Sequence, residues 1–194
     1  MNLRGYLLSG LLAAALAAGG LVNSDPPIET PSKVHEAGLG PLQLERNFEE
    51  AKRAVFRSAP DSAFSGVGCA GLDEIRYDVE LDGRLVGVMA MADNGRIREV
   101  EATLYSPSVS ESREACLTLR DDFAGPFLER FGPFQQRWEV SKPVSQELLA
   151  RTGPVVIAAR WFSMGKSCYI SAHYGVIDRG SLRLGESLAV LDKD

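Results

Sequence analysis

Basic residues are too few and too scattered in this chain to form a nucleic-acid binding surface. The 194 residues include 21 Lys and Arg against 26 Asp and Glu, so the formal net charge is -5. Binding to nucleic acid needs a positive stripe that neutralises phosphates, and no block of basic residues occurs. We therefore expect the chain to have no nucleic-acid partner.

Glycine and proline are not abundant either. The chain has 19 Gly and 10 Pro among its 194 residues, which is too few for a collagen-like or low-complexity polymer. Hydrophobic residues make up 45% and charged residues 24%, close to the composition of an average soluble globular protein. The composition excludes disorder for the bulk of the chain, and the length predicts one folded domain.

Histidine is nearly absent, which limits the metal sites and catalytic sites that the chain can form. The two histidines are His35 and His173, and His35 falls in a segment that we predict to be a linker. A single histidine in the domain needs carboxylates placed by the fold to complete a zinc site. Cys168 and His173 are five residues apart on one predicted strand, so they point to opposite faces. We therefore predict no metal site and expect His173 to be an ordinary strand residue.

Two motifs for catalysis or cofactor binding are missing or out of place. The sharp G-x-S-x-G turn of many serine hydrolases does not occur, because Ser163 is followed by Gly165 but preceded by Trp161. Residues 66–71 match G-x-G-x-x-G, yet an alternating strand follows them where a dinucleotide site needs a helix. We predict no cofactor and no catalytic residue, although a serine, histidine and carboxylate set from distant positions is left open.

Residues 1–19 have the layout of a secretory signal peptide. Arg4 precedes a stretch over 6–22 that contains no charge, and small residues follow the pattern of a cleavage site. A membrane anchor is the alternative, but the core of a bilayer needs about 20 apolar residues and this stretch is shorter. We predict cleavage near Ala17 or Gly19 and an exported protein, periplasmic or secreted, that does not insert into the membrane once the leader is removed.

Export would place the three cysteines in an oxidising compartment, where pairs tend to form disulfides. We expect Cys116 near the start of a helix and Cys168 on a strand, and packing of helix on sheet could bring them together. We favour this pair, which leaves Cys69 as an odd thiol, either buried or paired with another chain. The alternative is that all three are small apolar residues of the core.

The mature chain begins with a segment that lacks periodicity. Residues 20–42 are rich in proline and glycine, which predicts a linker or extended arm before a single domain over 43–194. The domain opens with apolar residues at helical spacing, which predicts an amphipathic helix. These residues are Leu44, Phe48, Ala51 and Val55.

A meander of three strands follows. Residues 74–81 alternate between apolar and charged side chains, which predicts a half-buried strand. The dipeptides Asp82-Gly83 and Asn94-Gly95 favour two-residue hairpin turns, so strands over 84–92 and 96–105 should pair back in order. The first of these is apolar on both faces, and we therefore place it in the middle of the sheet.

The second half of the chain repeats this plan. Residues 108–111 fit a capping box at the start of a helix, which Gly125-Pro126 should kink or divide. A short strand at 136–140 and a polar connection that holds Leu148 and Leu149 come next. Two further strands and a short terminal helix complete the prediction, at 154–162, 167–174 and 182–191.

This order predicts an α+β fold with antiparallel sheets in a βββ-α-βββ arrangement and helices packed on the sheet. Turns between the strands are too short for the crossover helices of a parallel sheet. The two halves hint at a duplication, but they share no motif, and ordinary meanders are the simpler explanation.

No set of reacting groups stands out, so the leading hypothesis is an exported non-catalytic protein-binding module, such as an inhibitor or immunity-type protein. Trp161 and Phe162 have opposite strand parity, and an exposed aromatic at the rim of a sheet is a typical contact residue. With Met164 and Lys166 of the following loop, they are our predicted contacts with a protein partner. The alternatives are an assembly or scaffold component of the cell envelope and a hydrolase with dispersed catalytic residues.

Overall fold

The computed structural model describes residues 28–68, 71–105, 108–109 and 112–175. Within these ranges the chain forms two antiparallel sheets and three helices, which confirms the predicted α+β class. The predicted leader, Cys69 and the predicted terminal helix lie outside the described residues. None of the helices in the described ranges has the length and apolar character needed to cross a bilayer.

The elements form two helix-then-meander units that follow a small sheet. The small sheet consists of β1 (Val34–His35), β2 (Gly38–Leu39) and β3 (Leu42–Gln43). The first unit consists of α1 (Phe48–Ser58), β4 (Phe64–Val67), β5 (Asp73–Leu81), β6 (Arg84–Asp93) and β7 (Arg96–Leu104). After β8 (Ser108–Val109), the second unit consists of α2 (Arg113–Phe123), α3 (Gly125–Phe131), β9 (Gln136–Ser141), β10 (Gln146–Thr152), β11 (Val155–Phe162) and β12 (Ser167–Tyr174).

The two meanders join into one main sheet. Eight strands lie side by side in the order β4, β5, β6, β7, β12, β11, β10 and β9, and β8 pairs with β12. The last strand of each meander therefore meets the other at the centre of the sheet, where Ala172 pairs with Ala102. Strand β6 lies between β5 and β7, in the middle of the sheet, as its two apolar faces predict.

The helices cover one face of the main sheet and enclose the core. Helix α1 packs on β5, α2 on β11 and β12, and α3 on β10. The alternating apolar residues of the strands point towards them, so that burial of these side chains supplies most of the hydrophobic stabilisation. This covered face includes Ile75, Tyr77, Val88, Val100, Ala102, Ile157, Ile170 and Tyr174.

The helix boundaries follow local capping chemistry. The side chain of Asn47 accepts a hydrogen bond from the amide of Glu50 and starts the predicted amphipathic helix α1. The predicted capping box at 108–111 is wrong, because residues 108–109 pair with β12 and Ser112 caps α2 instead. The predicted break at Gly125-Pro126 is confirmed, since α3 begins there with proline in its first turn.

The predicted linker is packed against the domain in its second half. Leu39 and Leu42 are fully buried in the core. The buried hydroxyl of Tyr77 donates to the carbonyl of Leu39 and of Pro31, at 3.1 and 2.9 Å. Strands of two residues are too short to show any period, so composition alone pointed to a linker over 20–42.

Two further features of the second unit concern strand β10 and the cysteines. The predicted polar connection around Leu148 and Leu149 is wrong: these residues belong to strand β10 and face opposite sides of the sheet. The predicted pair Cys116 and Cys168 lies at disulfide distance, with Cα atoms 5.6 Å apart, and joins α2 to β12. Both cysteines are buried on the covered face.

Candidate functional site

The face of the main sheet that points away from the helices is the open face. The buried side chains of the helices join the core cluster of the covered face, and none of them joins the separate apolar cluster of the open face. Strand alternation and the antiparallel register set the residues that point to this side. They include Arg76, Asp78, Leu85, Met89, Glu101, Thr103, Glu147, Ala158, Arg160, Tyr169, Ser171 and His173.

A polar cavity of about 190 Å³ lies on the open face, where it is lined by four neighbouring strands, β7, β12, β11 and β10. The register brings its side chains together in pairs across neighbouring strands. His173 of β12 lies opposite Glu101 of β7. Arg160 of β11 lies opposite Glu147 of β10. Ionisable groups from distant parts of the sequence are therefore concentrated in one small space, which is typical of functional sites.

His173 lies at the floor of the polar cavity and is only 5% exposed. Its Nε2 atom is 2.7 Å from the hydroxyl oxygen of Ser171, because residues two apart on a strand point to the same face. Burial lowers the pKa of His173 below 6.5; Glu101 opposes this shift and Arg160 adds to it. The imidazole is therefore neutral at neutral pH and can act as a ligand or a base.

Two carboxylates of β7 lie beside this histidine. One carboxylate oxygen of Glu99, one of Glu101 and a ring nitrogen of His173 are all within 4.8 Å of one another. The hydroxyl of Thr103 donates to Oε1 of Glu101 at 2.9 Å and so restricts the orientation of that carboxylate. The arrangement offers one nitrogen donor and two oxygen donors to the same small volume.

The carboxylate of Glu147, on another side of the cavity, is paired with two cations. Glu147 is only 5% exposed. Its Oε1 atom accepts hydrogen bonds from Lys142 Nζ at 2.7 Å and from Arg160 Nε at 3.0 Å. Paired and hydrogen-bonded charges are the form in which carboxylates are tolerated in a protein interior. This ion cluster closes one side of the cavity.

The sequence did not predict the grouping of Ser171, His173 and Glu101, and it left open whether distant residues form such a set. The spacing of Ser171 and His173 on a predicted strand is a signal that could have joined these two. Glu101 could not have been added, because its position opposite His173 depends on a strand register set by the whole sheet.

An apolar hollow of about 440 Å³ adjoins the polar cavity and shares Arg160 and Tyr169 with it. Its walls include Val144, Phe162 and Met164. Met164 is 84% exposed and Tyr169 is 47% exposed. The rings of Phe162 and Tyr169 meet edge to face, with their centroids 5.6 Å apart. This is a concave surface of aromatic and methionine side chains that nothing in the described ranges fills.

The four predicted partner contacts separate into two groups. Phe162 and Met164 line the apolar hollow, and Lys166 is exposed in the turn between β11 and β12. Trp161 is different, because it lies on the opposite side of β11 and packs against the core. Neighbouring residues of a strand point to opposite faces, so Trp161 points inward and Phe162 points outward.

The open face therefore carries two adjoining features with different chemistry. The polar cavity holds buried ionisable groups, and the apolar hollow holds exposed side chains of the kinds that are enriched at protein interfaces. Neither a family model, nor a curated protein, nor a solved structure matches this chain.

Proposed function

We propose that this chain is an exported, non-catalytic binding protein that recognises another protein with the open face of its main sheet. The observation that carries this proposal is the apolar hollow with its exposed Met164 and Tyr169. Burial of large apolar and aromatic side chains in a central pocket supplies much of the affinity of protein complexes. The hollow is the natural position for an anchoring side chain of the partner.

Charge around the hollow indicates the chemistry of that partner. Lys166 follows Met164 in the turn, Arg160 lines the wall, and Lys142 begins the short turn that carries Val144. Glu147 offsets part of this positive charge. We infer a partner segment with an apolar side chain flanked by acidic residues, since complementary charge around an interface favours the correct partner and speeds association.

Export is supported by cysteine usage and by the predicted leader. The pair Cys116 and Cys168 lies at disulfide distance, and structural disulfides are typical of proteins outside the reducing cytosol. The charge-free run after Arg4 fits a cleaved signal peptide. Export places the open face where a periplasmic or secreted protein could bind it.

The test is cross-linking and capture from an extract of the exported proteins of the producing cells. The wild type is compared with a Met164→Ala, Tyr169→Ala double variant and with Phe56→Ala, which removes an exposed apolar side chain from α1 on the other side of the sheet. We expect a stoichiometric protein whose recovery falls at least tenfold with the double variant and is unchanged with Phe56→Ala.

Two results would count against this proposal. If the captured protein is recovered equally with the double variant and with Phe56→Ala, the hollow is not part of the interface. Sedimentation of the protein with membrane or wall material, without a soluble partner, would favour the alternative of an envelope assembly or scaffold component.

A second candidate function, a hydrolase, is favoured by the 2.7 Å contact between Ser171 Oγ and His173 Nε2 beside Glu101. In such an enzyme the hydroxyl of Ser171 would pass its proton to His173 as it attacks a carbonyl carbon. The nearby guanidinium of Arg160 donates to Glu147 through Nε, and the amides of central strands are used in the sheet, so neither is reserved for an oxyanion in the described ranges.

The hydrolase is tested by labelling with a fluorophosphonate probe. An enzyme of this type should be labelled at Ser171, and Ser171→Ala should abolish the labelling while the chain stays folded. A folded wild type that takes up no label would remove this candidate.

A further inference from the structure

The carboxylates of Glu99 and Glu101 and the ring of His173 have the geometry of a set of metal ligands. Their nearest donor atoms lie within 4.8 Å of one another. Carboxylate oxygens and imidazole nitrogens bind Zn²⁺ at about 2.0–2.2 Å, so donors on one ion are separated by roughly 3–4 Å. Small rotations of the two glutamate side chains are enough to close this gap.

A hydrogen bond holds one ring nitrogen of His173. The hydroxyl oxygen of Ser171 lies 2.7 Å from Nε2. Histidines that bind metal usually hold their other nitrogen in a hydrogen bond, which fixes the tautomer and the ring orientation. Ser171 is placed for this role: with Nε2 donating to its hydroxyl, Nδ1 is the nitrogen that would bind the metal.

The charge balance of the cavity also points to a cation. Glu147 has two cationic partners, Lys142 and Arg160. Glu101 accepts a hydrogen bond from Thr103, but no Lys or Arg in the described ranges forms an ion pair with it. Its neighbour Glu99 brings a second carboxylate to within 4.8 Å. A bound cation would pair with the carboxylate of Glu101.

We propose that Glu99, Glu101 and His173 form a binding site for a divalent transition-metal ion, of which Zn²⁺ is the best fit. Mixed nitrogen and oxygen ligands suit zinc, whereas Ca²⁺ and Mg²⁺ prefer sites made of oxygen alone. Three protein ligands leave a fourth position, which a water molecule can fill.

The metal site and the hydrolase require different tautomers of His173. Metal binding at Nδ1 needs the proton on Nε2, where the hydroxyl of Ser171 accepts it. Hydrolysis needs Nε2 without a proton, so that it can accept the proton of Ser171. The two uses therefore exclude each other, and the metal proposal is independent of binding to a protein partner.

The experiment is calorimetric titration of the oxidised full-length protein, first treated with a chelator, with ZnCl₂ and separately with CaCl₂ at pH 7.5. We expect one Zn²⁺ per chain and no measurable binding of Ca²⁺. Glu101→Gln and His173→Gln should each weaken zinc binding by at least a hundredfold. Thr103→Val, which removes the hydrogen bond to Glu101, should weaken it about tenfold. Glu80→Gln, on the same face but distant from the cavity, is the matched control and should bind as the wild type does.

Two further readouts keep the proposal open to refutation if His173→Gln fails to fold. Zinc should raise the melting temperature of the wild type and of Glu80→Gln, but not that of Glu101→Gln. Long-range ¹H–¹⁵N spectra should show the shift of His173 Nδ1 move on addition of zinc while Nε2 stays protonated. A folded wild type without stoichiometric zinc binding, or binding that Glu101→Gln leaves unchanged, would overturn the site.

Discussion

The covered face and the open face of the main sheet are built by the same strands but stabilised in different ways. On β12, Ile170 points to the helices and is 1% exposed, whereas its neighbour Tyr169 points to the open face and is 47% exposed. The covered face is apolar throughout its core cluster. The open face mixes buried charges, a buried histidine and exposed aromatic rings.

The open face therefore contains buried residues that lower the stability of the fold. Burial of Glu147 and His173 is unfavourable compared with apolar residues at the same positions. Functional sites of proteins often contain residues that lower stability, and favourable interactions elsewhere in the fold offset the loss. Apolar packing on the covered face offsets this loss of stability, so the open face can hold a binding surface.

The largest effect should come from the link between α2 and the covered face. Reduction of the pair Cys116 and Cys168, which are 52 residues apart in sequence, should lower the free energy of unfolding by about 4 kcal/mol, the loop-closure entropy for a loop of this size. Cys116→Ser should show a similar loss and no further response to reductant. Urea unfolding with and without reductant measures this, and equal stability of the wild type in both conditions would refute the bond.

Neighbouring residues of β12 give the most direct comparison of the two faces. Ile170→Ala leaves a cavity in the core and should lower the free energy of unfolding by about 3 kcal/mol. Tyr169→Ala removes a half-exposed ring from the open face and should cost less than about 1 kcal/mol. Urea denaturation of both variants tests the pair. Equal losses would mean that the two faces do not differ as described.

The ion cluster around Glu147 tests whether the open face also contributes to stability. Lys142→Met combined with Arg160→Met leaves the buried carboxylate without a cation, and we expect a loss of about 2 kcal/mol, discounted because both cations are partly exposed. Each single variant should lose less than half of this, because the remaining cation still pairs with Glu147. A double variant as stable as the wild type would show that the cluster is not needed for folding.

The smallest effect concerns binding and separates two adjacent aromatic residues. Phe162→Ala should weaken binding of the partner by about 1 kcal/mol with little change in stability, because Phe162 lines the hollow. Trp161→Ala should instead lower stability, because Trp161 packs against the core. Binding and melting measurements on both variants check this, and the reverse pattern would place the interface on the other face.

Strands and turns with a clear local pattern were predictable from the sequence. The alternation in β5 and the turn at Asp82-Gly83 gave correct boundaries, and both turn residues adopt positive φ angles of 50° and 71°. Strand β10 was missed because Leu148 to Ala150 is apolar on both faces and shows no alternation. The small sheet was missed because its strands are two residues long.

The candidate site was predictable only in part. Phe162 and Met164 were predicted as partner contacts from strand parity and loop position, which are local properties, and both line the apolar hollow. Trp161 was predicted with them but packs against the core, since parity separates two neighbours but does not say which of them faces the helices. The polar cavity could not be predicted, because Glu101, Glu147 and His173 come from three different strands.

The helices and strands of this chain follow from local signals: apolar residues at every second position in strands and at every third or fourth position in helices, turn dipeptides and helix caps. All of these act over a few neighbouring positions. The amino-acid sequence was therefore sufficient to indicate the α+β class. The meeting of β7 with β12 arose only on folding, since it depends on how two complete meanders dock. Without that docking Glu101 and His173 are merely two polar residues 72 positions apart.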